Sequence, residues 1–492
     1  MSRSSGTDAC RSTTGRPSGR SWPVAGRITL EEVIGILHPL RGSGPFPPRT
    51  PIGPVTTDSR EVERGSLFVA IPGSRVDGTD FVEEAFGKGA LAAVVPEEGA
   101  GKIPPSLLAE KPVFVVRNPV EALGDLAKAH RMRYREIPLV GITGSSGKTS
   151  TKEMLAALLS RGKRVLRNPG NRNNLIGMPL ALLTLSAEHE VAVMEMGTNR
   201  PGEIGRLSEV AEPDVGIVTN IGPAHLEGLR TLEGVAREKG DLYRALGESG
   251  TAVVNAADLR VVREAGRSKA AKVYYGVALS EFSGRILSLD DSGMRIAVRT
   301  PSGEFRSEIP VTGEHNLTNA LAASAAAYTL GMRPPEMENG FASVAPERGR
   351  FQARPLRGGG LLLDDSYNAN PASMEAAIRS LRALRRSRRV VAVLGTMLEL
   401  GESSPASHFR IGHLLAAAEV DLLITHGEGG ESIARGALEG GMDPGRVRHE
   451  ADRALLRAAV SEAVREGDLV LVKASRGMKL DEIAEQIRQE RA

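Results

Sequence analysis

Between residues 139 and 150 the chain reads Leu-Val-Gly-Ile-Thr-Gly-Ser-Ser-Gly-Lys-Thr-Ser, an apolar run that turns through glycines into Lys148 and Thr149. Such a stretch can cradle phosphate. Gly144 and Gly147 let backbone N–H groups approach a polyphosphate, and the helix expected next offers its positive N-terminal end. Lys148 would place a point charge on the terminal phosphates, and the Thr149 hydroxyl could hold Mg²⁺. Strict P-loop spacing asks for glycine at 142, where this chain has Ile142. The stretch is therefore a G-x-x-G-K-T variant, open to a nucleotide or to an ordinary Gly-rich strand-to-helix turn.

Three further positions carry chemistry-bearing types. Glu195 ends the apolar run 191–196, where a carboxylate can meet a phosphate-bound Mg²⁺ or solvate a sheet edge. His225 follows another apolar run in a loop, as a ligand or as a merely polar residue. Lys239 lies in a charge-rich helical pattern, and on pattern alone it is a solvated lysine. Amide-rich clusters stand out as well: four Asn between 168 and 174, Asn316 and Asn319 ahead of an Ala-rich helix, and Asn368 and Asn370 after Asp365. Asn caps helices, adopts left-handed turns, and donates and accepts at once, so each cluster is a capping loop or a reader of polar ligand groups.

The elements that must hold these residues in place are α/β. At 492 residues, two to four domains are expected. The phosphate stretch combines a strand over 137–142 with helical spacing at Met154, Leu155, Leu158 and Leu159. Residues 28–136 read as a small α/β domain, with strands at 67–71, 92–95 and 113–116, helices at 81–88 and 120–134, and a Pro/Gly-rich loop over 42–54. Residues 137–345 alternate strands (191–196, 215–219, 252–255) with helices, predicting a mostly parallel sheet covered on both faces. Residues 346–492 alternate again, with strands at 361–364, 390–394, 422–425 and 469–472 and helices at 371–384, 407–418, 454–464 and 480–487. This last series is Rossmann-like, but no G-x-G-x-x-G follows its first strand and NAD is not inferred.

Lys plus Arg exceed Asp plus Glu by 3. Residues 1–27 alone hold Arg3, Arg11, Arg16, Arg20 and Arg27 against Asp8, so the basic excess belongs to that tail and gives no argument for nucleic-acid binding. The tail reads as disordered and lacks the apolar core of a secretory signal. The one cysteine, Cys10, lies in it, which excludes an intrachain disulfide and a cysteine nucleophile or metal site in the folded body. No apolar run is long enough to span a bilayer. A cytoplasmic enzyme is expected.

Taken together, residues 143–149, Glu195, His225, Lys239, residues 313–319 and Asp365-Ser366 resemble, in type and order, the ATP-dependent Mur ligases. Residues 170–179, 195–204, 365–371 and 394–401 are similar to the members of that family that use a dipeptide acceptor. The resemblance spans about residues 28–490 and implies three domains, binding in turn a UDP-sugar peptide, ATP and the acceptor. It implies ATP and Mg²⁺ as cofactors, with UDP-N-acetylmuramoyl-tripeptide and D-alanyl-D-alanine as partners, and a monomer is expected. By resemblance, Thr143, Gly144, Ser145, Ser146, Gly147, Lys148, Thr149 and Ser150 bind ATP phosphates. Asn316, Asn319 and Asp365 contact adenine and ribose, and Arg350 the phosphates. Thr149 and Glu195 hold one Mg²⁺, and His225 with a carbamylated Lys239 a second. Ser59 and Arg60 lie in the uridine-nucleotide region, Asn171, Asn173 and Asn174 near the peptide carboxylate, and Ser475 and Arg476 face substrate.

The implied reaction activates the tripeptide carboxylate as an acyl phosphate, which the dipeptide amine then attacks. Two positions depart from the family pattern: Thr396 stands where Asp is usual, and Ala474 where Gly is usual. The alternatives are a sibling ligase adding one amino acid to a UDP-muramoyl peptide or to folate, and a nucleotide-binding protein without catalysis. The Asn-rich loop weighs against the first. The joint presence of Lys148, Thr149, Glu195, His225 and Lys239 weighs against the second.

Overall fold

The computed structural model describes residues 28–45, 47–73, 76–276 and 279–491. The tail 1–27, with Cys10 and the expectation of disorder there, lies outside them. Two compact units part between Pro119 and Val120.

The first unit holds a five-stranded sheet in the order Arg41–Ser43, Val113–Val116, Ala92–Pro96, Leu67–Val69, Val55–Thr56. Only Arg41–Ser43 pairs antiparallel. The three middle strands are buried along their whole length, which is why they read as continuous apolar runs. Phe68, Val82, Phe86 and Val95 join in the core beneath them. The three-residue edge strand, two of whose residues fall in the expected loop 42–54, is too short and polar to show a pattern.

The second unit opens on helix Pro119–Met132, whose far end is tied to later residues: Arg131 Nε donates to the Ala211 carbonyl at 2.9 Å, and His130 Nε2 meets the Leu185 carbonyl at 2.8 Å. A six-stranded parallel sheet follows, in the order Ala271–Tyr275, Thr251–Asn255, Val215–Val218, Leu139–Thr143, Val191–Glu195, Val165–Arg167. Leu139–Thr143 sits between the strands that end near Thr219 and at Glu195. The chain thus departs to both sides of it, and a crevice for ligands opens beyond the carboxyl ends of such strands. Helix Lys148–Leu159 and the Ala-rich helix His315–Thr329 pack in one apolar cluster with that sheet.

An antiparallel three-stranded sheet, Ser283–Asp290, Gly293–Thr300 and Gly303–Ile309, adds to this architecture. The mostly parallel sheet expected for this segment is present, and these three strands, which were not expected, accompany it. Met294, Ile296, Val298, Phe305 and Ile309 reach the same core, while Arg295, Arg299, Glu304 and Arg306 alternate outward. That alternation leaves no continuous apolar run to notice.

The last sheet runs Gln352–Pro355, Leu361–Asp365, Leu469–Lys473, Val390–Gly395, Leu422–His426, Val447–Glu450, parallel except at its first strand. Helix Pro371–Leu384 occupies the expected residues, because Asn370 caps it in a reciprocal box with Ser373 and Pro371 takes the first turn.

Candidate functional site

The phosphate stretch folds as its residues require. Strand Leu139–Thr143 turns at Gly144 into helix Lys148–Leu159, and Gly147 lies before that helix at φ 78°. A Cβ on Gly147 would stand 2.4 Å from Asn319 Oδ1, and one on Gly144 1.8 Å from Thr219 Oγ1. Both glycines are therefore fixed by close approach as well as by backbone angle.

The loop after strand Val215–Val218 holds the turn. The Ser145 N–H donates to the Asn220 carbonyl at 3.0 Å, the Ser146 N–H to Asn220 Oδ1 at 3.0 Å, and Thr219 Oγ1 to the Ser146 carbonyl at 2.6 Å. Ser145 Oγ donates to the Gly222 carbonyl at 2.9 Å. From the last segment, Asn370 Nδ2 donates to the Ser145 carbonyl at 3.1 Å. Asn319 Nδ2 donates to Asn316 Oδ1 at 3.0 Å, and both residues are buried against the loop. Lys148 Nζ donates to the Gly144 carbonyl at 2.8 Å. Burial lowers the Lys148 pKa, the Arg350 charge adds to that, and Glu195 opposes it.

Glu195 is the point where this loop meets the amide cluster. It is 1% exposed at the end of strand Val191–Glu195. Asn173 Nδ2 donates to its Oε1 at 2.7 Å, while Asn168 brackets its backbone, accepting from the Glu195 N–H at 2.9 Å and donating to its carbonyl at 3.0 Å. Lys152, fully buried on the phosphate-loop helix, donates to the carbonyls of Asn168 and Gly170 at 2.9 Å each and lies 3.8 Å from Glu195 Oε2. Three buried oxygens have no hydrogen-bond partner here: Thr143 Oγ1, Thr149 Oγ1 and Glu195 Oε2. A hard divalent cation takes such oxygens, so the donor set fits Mg²⁺. Among the described residues, no three or more His, Cys, Asp or Glu side chains are grouped so that they could hold a metal ion.

Asn174 serves as a cap, its Oδ1 accepting from the Gly177 N–H at 2.8 Å ahead of helix Gly177–Leu182. Asn171 is exposed in the turn.

Lys239 corrects the reading from pattern alone. It is 1% exposed, because Val235, Lys239, Leu242 and Tyr243 share the buried face of helix Leu232–Ala245. Burial pushes its pKa well below the ordinary value, the Lys148 charge adds to this, and Glu238 opposes it. The adjacent Glu238 is turned elsewhere, accepting from the N–H groups of Gly202 at 2.7 Å and Ile204 at 2.8 Å. His225 stands at φ 55° before helix Leu226–Leu229, and its Nδ1 lies 2.6 Å from Glu399 Oε2 of the last segment.

Asp365 is half-exposed as a residue but its carboxylate is enclosed: Lys473 Nζ lies 2.6 Å from Oδ2, and the Phe351 N–H donates to Oδ1 at 3.0 Å. Burial raises its pKa against the pull of Lys473. The Arg350 guanidinium stacks 4.1 Å from the Tyr367 ring centre and pairs with Glu347 through Nε at 3.1 Å, while Arg476 approaches the same ring at 5.4 Å. Ser475 is buried, its hydroxyl accepting from the Leu398 N–H at 2.8 Å and donating to the Ala369 carbonyl at 3.2 Å.

Both departures have a structural account. Thr396 Oγ1 accepts from the Gly429 N–H at 3.0 Å at the start of helix Glu428–Glu439, a cap that Asp would also make. The Ala474 methyl lies where a Cβ on Gly395 would meet it at 2.8 Å, so Gly395 makes room for Ala474.

In the first unit, Ser59 Oγ donates to Glu84 Oε2 at 3.1 Å, and the exposed Arg60 pairs with Asp58 at 2.6 Å. That guanidinium holds the Asp58 pKa down to about 2.

Lys152, Asn220 and Glu399 are the site-building residues absent from the sequence candidates, and Asn168 stands among them only as one Asn of the amide cluster. Lys152 gave one signal, a lysine at the helical spacing of buried Leu155 and Leu159. Glu399 stands out in the sequence only as part of the 394–401 motif, with no sign of its partner 174 residues away.

Three stretches of the chain match family domains in sequence: "Mur ligase family, catalytic domain" over residues 51–131, "Mur ligase middle domain" over 142–327, and "Mur ligase, glutamate ligase domain" over 349–476. The chain belongs to the Mur ligase family. Among Mur ligases, the UDP-N-acetylmuramoyl-tripeptide–D-alanyl-D-alanine ligase of Bacillus subtilis is 36% identical over 89% of this chain and 94% of its own length. The enzyme of that name from Escherichia coli is 35% identical over 93% and 97%. A crystal structure of MurF from Acinetobacter baumannii superposes with a TM-score of 0.82 at 30% identity, covering 94% of this chain and 98% of that one. MurF of Thermotoga maritima in complex with ADP gives 0.76 at 29% identity, covering 89% and 97%. The three-domain α/β Mur ligase fold expected from the sequence is the fold found.

Proposed function

We propose that this Mur ligase joins D-alanyl-D-alanine to UDP-N-acetylmuramoyl-tripeptide at the expense of ATP, as a cytoplasmic monomer supplying peptidoglycan precursors. One observation carries the reading beyond family membership. The helix that follows the nucleotide loop and the Asn168 loop converge on the buried carboxylate of Glu195, with Asn173 donating to one oxygen and Lys152 Nζ 3.8 Å from the other, which like Thr149 Oγ1 has no hydrogen-bond partner. A site that brings a carboxylic acid to a terminal phosphate needs that convergence.

In the reaction, a terminal carboxylate oxygen of the tripeptide forms a bond to the γ-phosphorus of ATP as the bond to the β-bridging oxygen breaks, giving an acyl phosphate and ADP. The neutral amine of the dipeptide then attacks the acyl carbon. The C–O bond to phosphate breaks, the surplus amine proton leaves with that phosphate, and an amide remains. Lys148 and Arg350 bring positive charge to the transferring group, which is where electrostatic catalysis acts. Gly144 and Gly147 admit the phosphates to backbone N–H groups, and the bonds from Asn220 and Asn370 fix the loop beforehand. Asn316, Asn319 and Asp365 are assigned to the nucleoside. Asn171, Asn173 and Asn174 take the acid side, Ser59 and Arg60 the uridine nucleotide, and Ser475 and Arg476 the acceptor side.

Thr149 and Glu195 would hold one Mg²⁺, and His225 with Lys239 a second; Mg²⁺ supplies charge neutralisation on the phosphates. Lys239 suits carbamylation: a buried, neutral amine forms an N–C bond to CO₂, releases a proton and presents anionic oxygen, the hard ligand that Mg²⁺ prefers. The alternative acceptors, a single amino acid or a folate, have no specific observation in their favour.

Purified protein is expected to release phosphate only with ATP, Mg²⁺, the UDP-tripeptide and D-alanyl-D-alanine together, and Lys148→Ala to lower turnover by roughly 10²–10³. Lys239→Ala should lose activity and regain part of it with short carboxylates. Phosphate release that is independent of the dipeptide, or that a single amino acid elicits equally, would overturn the assignment. Full activity of Lys239→Ala without any carboxylate would remove the carbamate.

A further inference from the structure

The contact between His225 and Glu399 joins two parts of the second unit across 174 residues, at a place where both backbones are held in an unfavourable conformation. His225 has φ 55° and Glu399 φ 65°, the left-handed region that costs a non-glycine residue on the order of 1–2 kcal/mol. Such conformations persist where the surroundings over-determine them. At Glu399 the determinants are explicit. The Met397 N–H donates to His408 Nε2 at 2.7 Å, the Leu398 N–H to Ser475 Oγ at 2.8 Å, and the Glu227 N–H to the Glu399 carbonyl at 3.3 Å. Met397 and Leu400 are buried on either side. Glu399, its side chain 49% exposed, is therefore presented to His225 by a pinned loop.

We propose that Glu399 is a positioning residue: its carboxylate accepts the His225 Nδ1–H, fixes that tautomer and the ring plane, and so leaves Nε2 as the lone-pair nitrogen facing the site. A histidine that binds a cation through one nitrogen characteristically gives its other N–H to a carboxylate, and removal of that carboxylate costs 10–100-fold in metal affinity. Because Glu399 comes from the last segment and His225 from the central one, the ligand is oriented only while the loop 394–401 is docked. Docking of the acceptor-side segment and readiness of the metal site are then one event. This inference rests on the reading of His225 as a metal ligand and goes beyond it by naming what aims the ring and from which segment.

The test uses the full chain in three forms beside the wild type: Glu399→Ala, Glu399→Gln and His225→Gln. Without metal, ¹⁵N spectra of histidine-labelled protein at pH 8 report the His225 tautomer, the signal being identified by its loss in His225→Gln. The wild type should show the Nδ1–H form. Glu399→Gln should keep it, since the amide oxygen still accepts, and Glu399→Ala should move towards the Nε2–H form preferred by free imidazole. With ADP present, Mn²⁺ titration followed by electron paramagnetic resonance should show about 10–100-fold weaker binding of the second ion in Glu399→Ala, with Glu399→Gln between it and the wild type. An unchanged tautomer in Glu399→Ala, or unchanged Mn²⁺ affinity where His225→Gln weakens it, overturns the positioning role and leaves the ligand reading standing. Unchanged Mn²⁺ affinity in His225→Gln overturns the ligand reading itself.

Discussion

Lys152→Met is the sharpest perturbation of the ground under this site. The side chain is fully buried, and its ammonium donates to the Asn168 and Gly170 carbonyls at 2.9 Å each, while Glu153 Oε1 lies at 3.1 Å and Glu195 Oε2 at 3.8 Å. Methionine keeps most of the stem volume, so the cavity contribution is small. What disappears is two hydrogen bonds from a charged donor, worth about 1.5–3 kcal/mol apiece, together with the counter-charge of a carboxylate that is itself 1% exposed. Removing one member of a buried ionic group costs about 3–5 kcal/mol, and that is the expected loss. With an unfolding entropy of about 2.1 cal/mol/K per residue, a unit spanning 120–492 shifts by about 1.3 °C per kcal/mol, so the midpoint followed by circular dichroism should fall by roughly 4–6 °C. The same bonds hold the loop that carries Asn173, so KM for the UDP-peptide should rise at least about tenfold when turnover is measured well below the new midpoint. Glu153 has a second partner in Arg167 at 3.0 Å and does not supply the missing donors. A midpoint within about 2 °C of the wild type, with KM unchanged, would refute the claim that Lys152 ties the acid-side loop to the nucleotide loop.

Gly147→Ala forces a left-handed alanine at about 1–2 kcal/mol and drives its methyl to 2.4 Å from Asn319 Oδ1; ADP affinity by calorimetry should drop at least about tenfold, and an unchanged Kd would count against the cradle. His315 is expected to set part of the acid limit. Burial, then the charges of Lys473 and Arg379, push its pKa down to about 4. The unfolded chain therefore binds the proton first, so this contribution is full above the ordinary value near 6.5 and is lost as pH falls below it. Linkage gives a loss on the order of 2 kcal/mol between pH 7.5 and 5. Urea midpoints across that range should show it in the wild type and a flatter slope in His315→Gln; equal slopes would remove the effect.

The parallel strands were legible because burial on both faces leaves nothing but apolar residues, as in 191–194 and 390–394. Helix Pro371–Leu384 was legible because its cap and first-turn proline are local signals. The antiparallel sheet at 283–309 was not, since exposed residues such as Arg295, Arg299, Glu304 and Arg306 interrupt its buried ones. Lys239 shows a different limit. A helix with Arg237, Glu238, Asp241 and Arg244 around that position reads as a charged surface, and only the fold shows that Val235, Lys239 and Leu242 point inward together. Resemblance to a family singled out Lys239 where periodicity passed it over. Lys152 and Asn220 escaped both, because their work is to hold neighbours and their partners are largely backbone groups that no side-chain pattern records.

These holding residues explain how the site can keep unsatisfied groups at all. Thr149 Oγ1 and Glu195 Oε2 lack hydrogen-bond partners in the protein interior, and two lysines have their charged forms disfavoured by burial, Lys148 further by the Arg350 charge and Lys239 further by Lys148. Each of these features opposes folding by an amount comparable to a lost hydrogen bond or more. They survive because rigid local frames surround them: the Asn168 bracket and Lys152 behind Glu195, the Asn220 and Asn370 bonds on the phosphate loop, and the pinned loop behind Glu399. The groups left wanting partners are the ones that meet phosphate, cation and acid, and the groups that are fully satisfied are the ones that hold them there. Satisfying the first set internally, for example by a protein donor to Glu195 Oε2, would stabilise the fold and remove the place where a cation is expected to bind.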